Sequence, residues 1–417
     1  MAETMVINPL FRVGGKLEVS VRIEQGIISK AMVSGLVRRN FESGLVGERV
    51  DAAWHKAARL CAFCGESHRF AAEKALGIIE DLTPLDEFLL AFNIAVGHIK
   101  NFYCNILPDY VLFKRGVPFI IGGESADIRF DKKQNDLNDE HRVKVMREIC
   151  AAIKVVKDNR SKKIGVIDAL KIENAILHLK TAYEMMCEDH DRLCRMYEDM
   201  YAVGGGSTNF IDFGGLPRCS EKAAAVTPIK SVVPNLDKVT RDTIRCWRDD
   251  RGKICYENKS AYSHLFLAEY DGMPYEMGAI ARQKIKGKKV RCSVMDRIDA
   301  ITEECGDIIH ILPEQLEAAG KMGEGKMYRR PSDGKRIAVI PASGGSVIHS
   351  CRVVGGIVKE YRITSPCNWN LGPQDVRGNP SPVQTALLGT EVPDREGAEV
   401  VVSRIVHSFV PCIYCGG

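Results

Sequence analysis

The sequence contains no apolar run of about 18 residues, the length a membrane-spanning helix needs, so no span is expected. Its opening, Met1-Ala2-Glu3-Thr4-Met5-Val6-Ile7, lacks a basic segment followed by an apolar one, so no secretory signal is expected. An excess of one sign of charge is missing: 58 Lys and Arg against 54 Asp and Glu leave a net charge of +4, too small to argue for nucleic acid as a partner. Cysteine is the residue the chain does not lack. It has 15, an odd number, which argues against a closed disulfide framework. A chain without a secretion signal keeps such thiols reduced, so a cytoplasmic place is expected, in an anaerobic or strongly reducing cell. There is no internal repeat and no clean linker. Apolar residues make up 45% and charged residues 27%, an ordinary balance for a soluble globular protein.

The chemistry is concentrated in two cysteine pairs. The first lies in Arg59-Leu60-Cys61-Ala62-Phe63-Cys64-Gly65-Glu66-Ser67-His68, the second in Cys412-Ile413-Tyr414-Cys415-Gly416-Gly417. Each CxxC offers two sulfurs close together. Thiolates are soft ligands, suited to zinc, iron–sulfur clusters and other transition metals. Chain ends usually fray. A metal held jointly with Cys61 and Cys64 would fix Cys412 and Cys415, so the two pairs read as halves of one site. Competing readings are a structural zinc ribbon, a thioredoxin-like redox pair and plain buried thiols. Ribbon pairs are usually about 15–20 residues apart, whereas here most of the chain intervenes. The βαβ pattern of a thioredoxin is missing. Burial suits Cys104, Cys150, Cys187, Cys194, Cys246, Cys292 and Cys305, which lack paired spacing, but it does not explain two CxxC motifs.

Alternation over residues 16–37 around Gln25-Gly26 predicts a β-hairpin. Residues 67–77 predict a helix ending at Gly77, which puts the first CxxC at the entrance of a helix, where amide dipoles favour thiolates. Further helices are expected over 84–106, 141–157, 166–201 and 294–312, the last broken at Pro313. Residues 212–256 read as strands and turns. Residues 336–362 alternate around Gly355-Gly356 and predict a second hairpin, and 399–405 reads as a last strand. The expected fold is α+β, mainly α: one body over 1–417 with a central long-helix bundle and peripheral β-hairpins. Within it, 1–78 carries the first hairpin and CxxC, 79–203 the helical core, 204–330 a mixed α/β region, and 331–417 the C-terminal β part and last CxxC.

The paired motifs resemble those of nickel–iron hydrogenase large subunits, R-x-C-G-x-C-x-x-x-H and D-P-C-x-x-C, and the resemblance covers nearly the whole chain. Glu42 in Asn40-Phe41-Glu42 is similar to the family's F-x-G-F-E segment, and Ile121-Gly122-Gly123 to G-G-x-x-x-H-P. Tyr270-Asp271-Gly272-Met273-Pro274 with Glu276-Met277-Gly278-Ala279-Ile280-Ala281-Arg282 resembles R-Y-x-G-x-P-x-E-x-G-P-L-A-R, with Arg297 in the helix that follows. His349 and Thr364-Ser365-Pro366-Cys367-Asn368-Trp369-Asn370 resemble H-x-x and T-P-T-x-W-N. Within the family the chain resembles the cytoplasmic methanogen-type branch, whose members pass electrons to a viologen-reactive or deazaflavin-reducing partner.

The resemblance implies the hydrogenase large-subunit fold and a nickel held by four sulfurs, two of which also bridge to an iron carrying carbon monoxide and cyanide. Cys61 and Cys412 would be terminal ligands, and Cys64 and Cys415 the bridges. Dihydrogen would split heterolytically with a terminal thiolate as base, and Glu42 or His68 would relay protons. Electrons would leave through an iron–sulfur small subunit.

Several flanks depart from the family. Its E-G-H segment aligns with Gly14-Gly15-Lys16, which has neither Glu nor His. Its A-P-R-G segment aligns with Ala342-Ser343-Gly344, placing Ser343 where an Arg would lie over the metals. Val410 replaces the Asp before the final Pro-Cys, and Ala62 a Gly. Asp127 lies near the place of a missing His, and no His or tail follows Cys415. These changes keep a second reading open, a paralogue using the thiolate site for another redox reaction. Gly14-Gly15 and Ser343-Gly344-Gly345 would then open space for a substrate larger than dihydrogen. A third reading is a non-catalytic subunit of a redox complex; there the cysteines are typically gone.

Overall fold

The computed structural model describes residues 2–36, 41–61, 63–110, 139–159, 169–216, 223–241, 246–248, 254–256, 262–321, 333–392 and 395–413. Ala62, Ile121-Gly122-Gly123, Asp127, residues 249–253 and Cys415 lie outside them.

The expected first hairpin forms from β2 (Leu17–Glu24) and β3 (Ile27–Gly35), turning on Gln25 and Gly26, both at positive φ. The pair is the hairpin turn that matches the strands' right-handed twist. β1 (Glu3–Leu10) adds a third antiparallel strand that the sequence reading missed. Its Met5, Ile7 and Leu10 point inward with Leu17, Val19 and Val21.

α1 (Val50–Ala57) leads to the first CxxC, and α2 (Gly65–Ala75) leaves it. α3 (Pro84–Asn101) starts at a capping box, with the Asp86 amide on Thr83 Oγ1 at 3.2 Å and the Thr83 amide on Asp86 Oδ2 at 3.1 Å. It is apolar on nearly every side, which marks a helix buried all round. α4 (Asp139–Asn159) packs on α5 (Ala169–Met196). Short strands follow: β4 (Phe210–Asp212), β5 (Ala224–Val226), β6 (Ser231–Val232), β7 (Val239–Arg241), β8 (Cys246–Arg248), β9 (Ile254–Tyr256), β10 (Ala268–Tyr270) and β11 (Met273–Pro274). They form small antiparallel sheets, β4-β5-β6, β11-β10-β7 and β8-β9.

α6 (Ala279–Ile285) precedes α7 (Val294–Lys321), which packs against α3 and α5. α7 runs through Pro313, correcting the expected break there. Proline removes one helical hydrogen bond, but Leu312, Leu316 and Ala319 stay buried on the same face, and their packing outweighs that loss. β12 (Gly334–Ala342), β13 (Gly345–Val354) and β14 (Ile357–Thr364) build a meander turning on Gly355 and Gly356, both at positive φ. α8 (Pro366–Asn370) and α9 (Pro382–Leu387) lead to α10 (Arg395–Ser408).

α10 corrects the expected strand over 399–405. The segment is rich in β-branched valine, which favours strands. Yet its buried apolar residues, Ala398, Val401, Val402, Ile405 and Val406, recur at three- and four-residue steps, a helical stripe. A continuous apolar core runs from Met5 through α3, α5 and α7 to Ile413.

Buried ion pairs lock the mixed region to α7. Arg297 grips Glu276 with two hydrogen bonds, 2.7 and 3.0 Å. Arg282 lies between Glu304, at 2.5 and 2.6 Å, and Asp212, at 3.3 Å, and His98 Nε2 reaches Glu304 at 2.9 Å. Burial pushes the Glu304 carboxyl up, but Arg282 and His98 outweigh it and hold it at about 2. The charged residues of the 276–282 motif are thus fasteners of the fold.

Candidate metal centre

Cys61 follows α1 and is buried; Cys64 is the N-cap of α2. The helix N-terminus carries a partial positive charge that stabilises a thiolate there. Cys412 comes from the other end of the chain. Phe409 and Val410 turn off α10, Val410 at φ 55°, and Pro411 extends the tail.

Two devices hold that tail. The first is Asp109, buried just after α3. It accepts from Arg12 in the β1–β2 loop and from His407 on α10, while Arg404 Nε donates to its carbonyl at 3.1 Å. His407 Nε2 lies 2.9 Å from the Phe11 carbonyl. The second is the glycine pair in the same loop. The Ile413 amide donates to the Val13 carbonyl at 3.3 Å. A Cβ on Gly14 (φ +56°) would lie 3.1 Å from Cys412 Sγ, and one on Gly15 (φ +149°) 2.4 Å from Ile413 Cγ1. The glycines therefore do not open space for a larger substrate; the tail fills the room they leave. We expect Gly14→Val to undock the tail, through both positive φ and the clash, seen as faster amide exchange at Cys412 and Ile413 and a fall in bound metal.

The result is a thiolate pair. Cys61 Sγ and Cys412 Sγ stand 3.4 Å apart, 351 positions apart in sequence. Cys64 lines the same cavity, but the three sulfurs do not all lie within 4.8 Å of one another. That cavity, of about 30 Å³, is also bordered by Phe63, Asn101, Ser343 and Cys367. It has room for a molecule the size of water or slightly larger. Ser343 is buried there, its Oγ 3.0 Å from where a Cβ on Gly97 would stand. Cys367 donates to the Cys412 carbonyl. Burial pushes its thiol up to about 12, so at neutral pH it is a neutral donor pinning the tail.

His68 is fully buried one turn into α2. Its Nδ1 lies 2.9 Å from His349 Nε2, and His349 Nδ1 lies 2.7 Å from the Tyr361 hydroxyl. Burial pulls His68 down to about 4, partly opposed by the Cys61 charge. Burial likewise pulls His349 well below the usual histidine range and pushes Tyr361 well above the usual phenol range. All three are neutral at pH 7. His68 Nε2 is buried with no hydrogen-bond partner among the described residues. An orphaned buried nitrogen is costly, and a group bound at the thiolates would relieve it.

Glu42 sits elsewhere. It accepts from Arg241 at 2.7 and 3.2 Å and from the Ile363 amide at 2.6 Å. With Tyr361 it borders a second, solvent-facing cavity of about 590 Å³. Tyr361 and the thiol of Cys367 were missed as site residues. Counted back from the Gly355-Gly356 turn, Tyr361 would oppose Ser350. A bulge between Arg352 and Val353 shifts it opposite Cys351 and so onto the face of His349.

The donor set, the glycine cradle and the orphaned nitrogen fit a thiolate-held metal group. A sequence-family profile described as nickel-dependent hydrogenase matches residues 320–416. The periplasmic [NiFeSe] hydrogenase large subunit of Desulfomicrobium baculatum is 24% identical, covering 98% of this chain and 93% of its own. The hydrogenase-2 large chain of Escherichia coli K12 is 21% identical, covering 100% and 97%. Among solved structures, the Ni-Fe-Se hydrogenase from D. vulgaris Hildenborough in the as-isolated oxidized state superposes with a TM-score of 0.86 at 22% identity, covering all of both chains. In the profile over residues 320–416, in full-length sequence and in fold, this chain is similar to nickel-dependent hydrogenase large subunits, which are oxidoreductases.

Proposed function

We propose that this chain is the catalytic subunit of a nickel–iron hydrogenase, interconverting dihydrogen with protons and electrons. The observation that carries the reading is the Cys61–Cys412 pair, brought to 3.4 Å and closed over by Gly14. Cys61, Cys64, Cys412 and Cys415 would hold the Ni–Fe centre, whose chemistry is heterolytic cleavage of dihydrogen. Hydrogen-dependent dye reduction by the pure anaerobic protein tests this; its absence from nickel-loaded protein would favour the paralogue reading.

The chain's own residues handle the proton. His68, neutral and with a buried Nε2 facing no described partner, takes a proton released at the thiolates. His349 and Tyr361 continue the hydrogen-bonded line to the cavity that Glu42 borders. This line stands in for the Glu that Gly14-Gly15 does not supply. His68→Gln should lower dye reduction by about 10²-fold or more while nickel and iron content stay unchanged, general acid–base groups being worth about 10²–10⁴-fold.

Among the described residues no second cluster of cysteines could hold iron–sulfur. We infer an iron–sulfur small subunit as electron partner, as hydrogenase large subunits have. The cytoplasmic, methanogen-type assignment belongs to this same proposal. The cytoplasmic part rests on Cys104, Cys150, Cys292 and Cys351, thiols outside any disulfide. No helix among the described residues is long and apolar enough to cross a membrane.

A further inference from the structure

A second set of metal-ligand side chains lies on the long helices. His190 and Cys194 stand four residues apart on one face of α5, and Asp299 projects from α7. His190 Nε2 is 3.5 Å from Cys194 Sγ and 2.8 Å from Asp299 Oδ1, and Cys194 Sγ is 3.7 Å from Asp299 Oδ1. Among the described residues this is the only group of three or more such side chains whose ligand atoms all lie within 4.8 Å of one another. We propose that His190, Cys194 and Asp299 bind a zinc ion, with a fourth position open to water.

The spacing fits. Zinc bonds of about 2.3 Å to sulfur and about 2.0–2.2 Å to nitrogen or oxygen give tetrahedral edges of roughly 3.3–3.6 Å between ligand atoms. Both edges to sulfur are near that length already. The third is a hydrogen bond, which zinc would replace by opening it about half an ångström. The donor set selects the metal. Thiolate with imidazole and carboxylate suits zinc, whereas magnesium and calcium take oxygen ligands.

The surroundings orient the ligands. The Tyr201 hydroxyl donates to Asp299 Oδ2 at 2.8 Å and leaves Oδ1 to the site. His190 Nδ1 faces the Asp191 carboxylate at 3.7 Å. The side chains of His190 and Asp299 are 15% and 28% exposed, so an ion can enter from solvent. Leu193 and Ile298 anchor both helices in the apolar core, so only the side chains need to adjust.

The competing occupant is a proton. Burial pulls His190 down, but hydrogen bonds to Asp299 and Cys194 outweigh it and hold it at about 10. Without metal His190 holds a proton against Asp299, and zinc binding must release it. Bound zinc would staple α5 to α7, the helix that also carries Arg297 and Glu304.

The test compares zinc content and Co²⁺ spectra of the anaerobic full chain, purified with its partner, in wild type, Cys194→Ser and Asp299→Asn. The Cys61–Cys412 site is untouched in all three, so zinc lost in the variants reports this trio whatever metal the thiolate site holds. The expected result is one zinc per chain fewer in Cys194→Ser and at least tenfold weaker binding in Asp299→Asn. Added Co²⁺ should give a sulfur-to-cobalt charge-transfer band in wild type that Cys194→Ser lacks and that Zn²⁺ abolishes. Equal zinc in all three proteins, or no Cys194-dependent cobalt band in wild type, would overturn the proposal.

Discussion

Cys412→Ser should strip nickel from the folded protein. Serine has the shape of cysteine, but its hydroxyl is not ionised at neutral pH and is a hard donor where the site needs a soft one. Outer contacts of metal ligands are themselves worth about 10–100-fold in affinity. Loss of a direct ligand should exceed that, leaving nickel far below one per chain, with hydrogen-dependent dye reduction gone. Cys351→Ser is the control. Cys351 is buried and donates to the Ala75 carbonyl at 2.8 Å, but it does not border the thiolate cavity. It should keep full nickel. Equal nickel in wild type and Cys412→Ser would mean that the tail does not ligate the metal.

Asp109→Ala should be the most destabilising single change near the site. Arg12 and Asp109 are 7% and 5% exposed, and His407 is fully buried. Removing the carboxylate leaves two basic groups buried without their acid, a situation that costs about 3–5 kcal/mol. Because the same carboxylate ties α10 to the loop carrying Gly14, metal content should fall as well. The pH dependence has a definite sign. Burial raises the Asp109 carboxyl, but Arg12 and His407 outweigh it and hold it at about 2 against an ordinary 3.8. Its contribution is complete above pH 3.8 and is lost as pH falls through about 2. Denaturant midpoints of wild type and variant should therefore differ most at neutral pH and converge in acid.

Much of the fold is legible from local pattern. The turns at Gln25-Gly26 and Gly355-Gly356 announce two hairpins, and apolar spacing announces α3, α4, α5 and most of α7. Errors came where local preference and packing disagree. Valine content in α10 suggested a strand while its spacing was helical, and Pro313 suggested a break that the core overrides. In the site, Cys61 and Cys412 were legible as candidates because CxxC is a local motif. The reason they meet was not. It resides in Asp109, Arg12 and His407, which are far apart in sequence and converge only in the fold. The roles of Gly14 and Gly15 were legible only as the absence of Glu and His; their purpose, room for Cys412 and Ile413, depends on where the tail lands. The line from His68 to Tyr361 depends on one bulge, which no spacing rule announces.

The most direct measurement is made on the native complex purified anaerobically: nickel and iron content together with an infrared spectrum in the window where metal-bound carbon monoxide and cyanide absorb. Nickel and iron in equal amounts, with those bands present in wild type and absent in Cys412→Ser, is the predicted result. A protein without nickel and without the bands, its four cysteines holding zinc or iron alone, would contradict the assignment of this site to a nickel–iron centre.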